Sequence, residues 1–221
     1  MKTKFHAGSE PVKKVNLLRR VLGQPVIFAG GSLRDDYMGQ YDMISDYDIF
    51  LQGNNVSHYV LAGDRLDPLI ETIISKVFPN NDDYCELFGS EYLTPTEQAS
   101  RSDSKQGAND QIIGVWEIDD TGVLYQLIFT KEDPVTHLNK YFDVGFCKAY
   151  CDGKKIRYTD DFLYDVKHKQ LTIVGDDMSK DQVLYTIEHH CEKIQWKYGN
   201  FRIVVPPRYQ KFVEGAGFPT C

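Results

Sequence analysis

The 221-residue sequence has no uninterrupted apolar run near 18 residues and a mean hydropathy of -0.41, which excludes a membrane-spanning helix. The opening stretch MKTKFHAGSEPVKK contains no apolar core of the kind a secretory leader needs, so a cytoplasmic protein is expected. Cysteine is scarce. The five thiols, at 85, 147, 151, 191 and 221, are odd in number and match no disulfide framework, so they are expected to be reduced. There is no internal repeat and no low-complexity tract. Positive charge is also short: 25 Lys and Arg against 32 Asp and Glu give a net charge of -7, which argues against coating nucleic acid through a general positive field. What remains is 42% hydrophobic and 13% aromatic residues, enough to bury a globular core.

The charge is unevenly placed. Lys2, Lys4, Lys13, Lys14, Arg19 and Arg20 outnumber Glu10 in the first twenty residues, whereas Asp35, Asp36, Asp42, Asp46, Asp48, Asp64 and Asp67 crowd a stretch holding only Arg34 and Arg65. Val12 to Leu22 reads as an amphipathic helix ended by Gly23. Pro25 to Ala29 is a short apolar run bounded by Pro and Gly-Gly, as a buried strand should be. A short helix over Leu33 to Met38 is closed by Gly39, and Asp46 to Leu51 alternates as a half-buried strand. Asp67 to Val77 predicts a helix with Asp67 as N-cap and Pro68 at its first position. Further along, strands are expected over Ile112 to Trp116 and Val123 to Phe129 around the turn Asp119 to Gly122, and a helix from Asp133-Pro134 to Lys140. A strand follows over Phe142 to Tyr150, then a hairpin from Phe162 to Val166 and Gln170 to Val174, then a helix from Ser179 to Tyr198. Ser90 to Asn109 is polar and reads as a loop, and the tail after Pro206-Pro207 has little pattern. This succession predicts a mixed α/β (α+β) fold, a mixed twisted sheet flanked by helices. The core would span residues 1–155, with a small hairpin-and-helix appendage over 156–221.

Chemistry concentrates in Gly30-Gly31-Ser32-Leu33-Arg34-Asp35 and in Asp46-Tyr47-Asp48. A Gly-Gly turn opening a helix presents bare backbone N–H groups to an anion. Ser32 adds a hydroxyl, and Arg34 a planar donor fork suited to phosphate oxygens. Side chains alternate along a strand, so Asp46 and Asp48 project on one side and Tyr47, Ile49 and Leu51 on the other. Two neighbouring carboxylates repel unless a cation sits between them, and carboxylates beside a phosphate cradle make the hard oxygen environment that Mg²⁺ prefers.

These residues, from Gly30 through Gly39 to Asp46-x-Asp48, resemble the signature of the DNA polymerase beta-like nucleotidyltransferase superfamily. The variant looks most like the head domain of class II CCA-adding enzymes and bacterial poly(A) polymerases, in a small stand-alone form similar to compact members from bacteria, large viruses and bacteriophages. The resemblance covers about Val15 to Tyr150. It implies a nucleotidyltransferase fold and transfer of NMP from an NTP to an acceptor hydroxyl, with Mg²⁺ or Mn²⁺ held by Asp46, Asp48 and a third carboxylate from a later strand, for which Asp143 is the best match. It also implies nucleotide contacts from Gly30, Gly31, Ser32 and Arg34, and from a basic residue on a later helix, Lys193 or Lys197. The Arg-Arg-Asp and Glu-Asp-x-x-Arg motifs of class II CCA-adding enzymes do not occur in this sequence, so no preference for CTP or ATP is implied. An RNA or tRNA end is the first choice of acceptor, met through the basic N-terminal helix. The alternatives are a small hydroxylated molecule, a protein side chain, or a catalytically silent nucleotide-binding module.

Other residues have simpler readings. Asp35 and Asp36 suit the first turn of a helix, and Asp133 and Asp152 adjoin Pro or Gly and read as turn formers. Trp196, Tyr198 and Phe201 are expected in a core rather than stacked on a base.

Overall fold

The computed structural model describes residues 5–6, 8–53, 68–86 and 111–214. The expected N-cap Asp67 and the expected loop Ser90 to Asn109 lie outside these residues. Two compact units are formed: Met1–His137 with Tyr150–Arg157, and Leu138–Ala149 with Tyr158–Cys221. Relative to a division at 155, the segment 138–149 groups with the later part of the chain.

The first unit begins with α1 (Glu10–Leu22). Pro11 sits in its first turn, where no backbone donor is needed, and Gly23 ends it at φ 64°, donating its N–H to the Arg19 carbonyl. Then come β1 (Val26–Ala29), α2 (Gly31–Tyr37), a 3-10 turn at Tyr41–Met43, β2 (Asp46–Gln52), α3 (Pro68–Val77) and β3 (Asn81–Glu86). β4 (Ile112–Asp120), β5 (Leu124–Thr130), α4 (Pro134–Tyr141), β6 (Ala149–Cys151) and β7 (Ile156–Tyr158) follow. Their strands form one seven-stranded sheet in the order β3-β4-β5-β2-β1-β6-β7. β2 runs parallel to β5, while β1 is antiparallel to both β2 and β6, so the sheet is mixed, as the sequence predicts. β4 continues to Asp120 because Thr121 and Gly122, both at positive φ, close a two-residue hairpin. The Gly122 N–H is bound by the Asp119 carboxylate at 2.6 Å.

One face of this sheet carries an aromatic core. Phe5 lies edge-on to Phe28 at 5.0 Å, Tyr47 meets Tyr125 at 5.4 Å, and Tyr125 meets Phe78 at 5.3 Å. Val12, Val15 and Leu18 of α1 and Ile70, Ile73 and Val77 of α3 are buried. Each such side chain contributes roughly 1.5–3 kcal/mol. Lys14 is buried as well. Its ammonium pairs with Asp120, donates to the Val77 carbonyl at 2.8 Å and lies 4.6 Å from the Phe78 ring centre, tying α1 to β4 and to the end of α3.

In the second unit the structure departs from the sequence pattern. Phe142 to Tyr150 is not one strand: Val144 makes an isolated bridge with Ile173, Gly145–Cys147 is a 3-10 turn, and only Ala149–Cys151 joins the sheet. The chain bends where Gly145 passes so close to Asp165 that a Cβ would lie 2.8 Å from its carboxylate. The expected hairpin is absent too. Phe162 to Val166 belongs to a helix, α5 (Asp160–His168), because Thr159 caps Phe162 N–H and Asp160 and Asp161 occupy the first turn. β8 (Gln170–Thr172) then pairs in parallel with β9 (Arg202–Val204) instead of doubling back.

The helix expected from Ser179 is α6 (Lys180–Tyr185), opened by a Ser179–Gln182 capping box. It continues through a π turn (Thr186–Cys191) into α7 (Glu192–Tyr198). The patternless tail holds α8 (Pro207–Val213). Phe146 stacks with Phe201 at 4.6 Å and with Phe162 at 5.5 Å, and Ile173, Val183, Ile187, Tyr209 and Val213 form a second apolar cluster. Tyr198 and Phe201 pack as expected, but Trp196 is 82% exposed and belongs to no core. Among the described residues no helix is long and apolar enough to cross a membrane.

Candidate active site

The chain leaves the fully buried β1 at Ala29 and turns at Gly30 into α2. Gly30 adopts φ 89°, and a Cβ there would lie 2.9 Å from Asp48 Oδ2. Only glycine permits both the backbone angle and this approach. The paired strands explain the meeting: Ala29 stands opposite Asp48 in the antiparallel β1–β2 register, so the residue after Ala29 must pass beside the Asp48 carboxylate. Asp46 and Asp48 lie two apart on β2, both half-buried, and Tyr47 between them points into the aromatic core. Ser32 is 4% exposed and its hydroxyl has no hydrogen-bond partner. A buried hydroxyl without a partner costs about 1–3 kcal/mol, a cost that a phosphate oxygen accepted at the turn would relieve. Gly30, Ser32, Asp46 and Asp48 therefore fit a nucleotide phosphate with its divalent cation. Among the described residues no three His, Cys, Asp or Glu side chains are grouped as a metal site.

Arg34 lies on α2 beside the glycine turn. It is 8% exposed, and its Nε and Nη2 both lie 2.8 Å from Asp35 Oδ1, while its Nη2 lies 3.3 Å from where a Gly31 Cβ would stand. Its guanidinium thus pairs with the buried Asp35 beside the glycine turn. Gly39, at φ 75°, closes α2 as the sequence predicts.

Cross-strand register adds two residues that the sequence reading missed. Asp48 stands opposite Gln126 on β5, and Gln126 stands opposite Glu117 on β4, to whose carboxylate it donates at 3.3 Å. On the other side Ala29 is opposite Tyr150 of β6. Tyr150, Ala29, Asp48, Gln126 and Glu117 therefore form one row across the sheet on the face that carries Asp46. No linear motif marks this row, since it is assembled from five strands.

Asp143, Lys193 and Lys197 belong to the second unit. Asp143 Oδ2 accepts the Thr186 hydroxyl at 2.7 Å and lies 2.6 Å from His190 Nδ1. Burial works to raise its pKa, but the His190 ring and the Thr186 hydroxyl outweigh it and hold the carboxyl below its usual range. Asp143 follows α4 in a segment that is not a ladder strand, so the expectation of a carboxylate on a catalytic strand does not hold there. Lys193 is exposed and Lys197 half-buried on α7. The basic face of α1 is smaller than its sequence implies: Lys14 is buried on Asp120, Lys13 pairs with Glu10 at 3.1 Å, and Arg19 donates to the Asp152 carbonyl at 2.6 Å. Asp133 and Asp152 act as turn formers, accepting backbone N–H groups of Val135 and Thr136 and of Lys154 and Lys155.

No family model and no curated protein matches the sequence. Solved structures do match the fold. The Thermotoga maritima CCA-adding enzyme complexed with tRNA is similar over 98% of this chain and 46% of its own, at 11% identity and a TM-score of 0.56. The Bacillus stearothermophilus CCA-adding enzyme in complex with CTP is similar over 94% and 43%, at 16% identity and 0.54. A tRNA-processing enzyme in apo form is similar over 93% and 45%, at 10% identity and 0.53. The chain thus spans just under half the length of these enzymes, and at such identities the likeness is one of fold. The mixed seven-stranded sheet flanked by helices is a nucleotidyltransferase-like fold.

Proposed function

We propose that this chain is a nucleotidyltransferase that moves NMP from an NTP to an acceptor hydroxyl and releases pyrophosphate, the acceptor being an RNA or tRNA end. The observation that carries this reading is the close approach of Gly30 to Asp48, which joins a glycine turn with a partnerless Ser32 hydroxyl to a carboxylate pair in a fold similar to that of CCA-adding enzymes. Asp46 and Asp48 would hold Mg²⁺ or Mn²⁺, which when bound neutralises charge on the triphosphate and on the attacking and leaving oxygens. Gly30 leaves room for the phosphate chain against β2, and the Ser32 hydroxyl donates to one of its oxygens. Arg34 pairs with Asp35 beside the turn. The attacking hydroxyl gives its proton to solvent and forms the new bond to the α-phosphorus as the bond to the pyrophosphate oxygen breaks, so the work of the protein is positioning and electrostatics.

Asp143 is assigned a positioning role in the second unit, holding Thr186 and His190, in place of the metal-ligand role the resemblance implies. The test is incubation with each labelled NTP, Mg²⁺ or Mn²⁺, and pools of tRNA, small metabolites and protein. Label in RNA supports the reading. Label only in protein or metabolite overturns the acceptor, and no pyrophosphate with any acceptor overturns the activity.

A further inference from the structure

The α1 helix does not offer the basic face its sequence implies, yet the tertiary structure builds another. The turn between β6 and β7 carries Lys154 and Lys155, and Arg157 follows on β7 at the edge of the sheet, all three exposed. α1 is fastened to this turn twice: Asn16 Nδ2 donates to the Gly153 carbonyl at 2.7 Å and Arg19 Nη1 to the Asp152 carbonyl at 2.6 Å. Arg20, four residues after Asn16, lies one turn further along the same face and is exposed. Residues 19–20 and 152–157 thus bring together four exposed cations, Arg20, Lys154, Lys155 and Arg157, and the half-buried Arg19, with one carboxylate, Asp152.

That carboxylate is already engaged. Asp152 Oδ1 accepts the N–H groups of Lys154 and Lys155 at 2.9 and 3.1 Å, and Oδ2 lies 3.3 Å from Arg157 Nε. These bonds hold its pKa below the usual carboxylate range even though burial works the other way. The turn is therefore preshaped, and Gly153 at φ 84° fixes it, since a Cβ there would collide with Asn16. On a chain of net charge -7, this island is of the opposite sign to the whole.

We infer that the β6–β7 turn together with the end of α1 binds the phosphate backbone of an RNA acceptor. This rests on the RNA reading of the acceptor given above and locates where that RNA is anchored. Asp48 is on β2, and β6 lies two strands away across β1; with a few residues of descent to the turn, the island is on the order of 15 Å from Asp48. It meets phosphates upstream of the reacting end and leaves the reacting hydroxyl to the carboxylate face. A contact from Lys and Arg side chains to phosphate oxygens is backbone-directed and independent of sequence.

The test is RNA binding against salt concentration. With four to five phosphate contacts on a single strand, log K should fall with log salt at a slope of about -3. Removing two of them in Lys154→Gln/Lys155→Gln should reduce the slope by about 1.4 and weaken binding about tenfold near 0.1 M salt. The control Lys76→Gln/Lys131→Gln removes the same charge from exposed sites elsewhere on the first unit and should leave affinity and slope as in the wild type. Wild-type RNA binding unchanged in the turn variant would overturn the surface and leave the RNA reading standing. No RNA binding by the wild type would overturn both. Binding to anionic lipid vesicles that the turn variant loses, with RNA binding intact, would assign the island to another partner.

Discussion

At the scale of single residues, Gly30 and the Asp46–Asp48 pair carry the most weight. Asp46→Asn or Asp48→Asn should abolish pyrophosphate release while circular dichroism and thermal midpoint stay near wild type; turnover retained in either variant would remove these residues from the mechanism. Gly30→Ala places a methyl group 2.9 Å from Asp48 Oδ2 at a backbone angle that L-residues avoid. It should cost about 1–2 kcal/mol of stability and reduce turnover at least a hundredfold, read from denaturant unfolding alongside a transfer assay. Asp143 gives a sharper contrast. If it holds Thr186 and His190, Asp143→Asn lowers the thermal midpoint of metal-free protein; a metal ligand alone would leave that midpoint unchanged. The motif residues were legible in the sequence because turn glycines and alternating strand carboxylates are local signals. The engagement of Arg34 by Asp35 was not, since a guanidinium fork reads as a phosphate ligand until its burial is known.

At the scale of elements, α1 shows how a basic helix can be structural. Lys14→Met leaves the buried Asp120 without its partner and should destabilise the protein by about 3–5 kcal/mol, measured by urea unfolding. α4 supplies a pH signature. His137, 4% exposed against the Phe50 ring, is pushed down to about 4, chiefly by burial and against the pull of Glu132. The unfolded chain takes up this proton near pH 6.5 and the folded protein only near 4, so its share of stability is complete above about 6.5 and is lost as pH falls towards 4. That share is up to about 3 kcal/mol, and His137→Phe should flatten this limb of the pH–stability curve. In the first unit α1, β1, β2, β5 and α3 follow the apolar pattern, whereas the described residues of β3 (NDDYCE) and β7 (IRY) are exposed or half-buried and carry no such pattern. The second unit defeats it: Phe162 to Val166 satisfies period two and an amphipathic helix alike, and the Thr159 cap decides between them.

At the scale of the whole molecule, nucleotide and cation should act together. With no group of three or more His, Cys, Asp or Glu side chains among the described residues, Mg²⁺ alone should raise the thermal midpoint little. Mg²⁺ with NTP should raise it by the amount that binding to the folded state alone confers, and removal of the metal with EDTA should reverse the shift. Asp48→Asn should erase the joint shift. The sequence by itself determined the class of fold, the glycine turn, the carboxylate pair and the acidic total, because each rests on local spacing or plain composition. The tertiary structure decided which charges remain for partners. It buried Lys14, turned Arg34 onto Asp35, lined up Tyr150, Asp48, Gln126 and Glu117 across four strands, and joined Arg19 to a basic turn 133 residues later. Whether a charge faces a neighbour or solvent depends on strand register and helix docking between distant segments, and no local pattern in the chain encodes that.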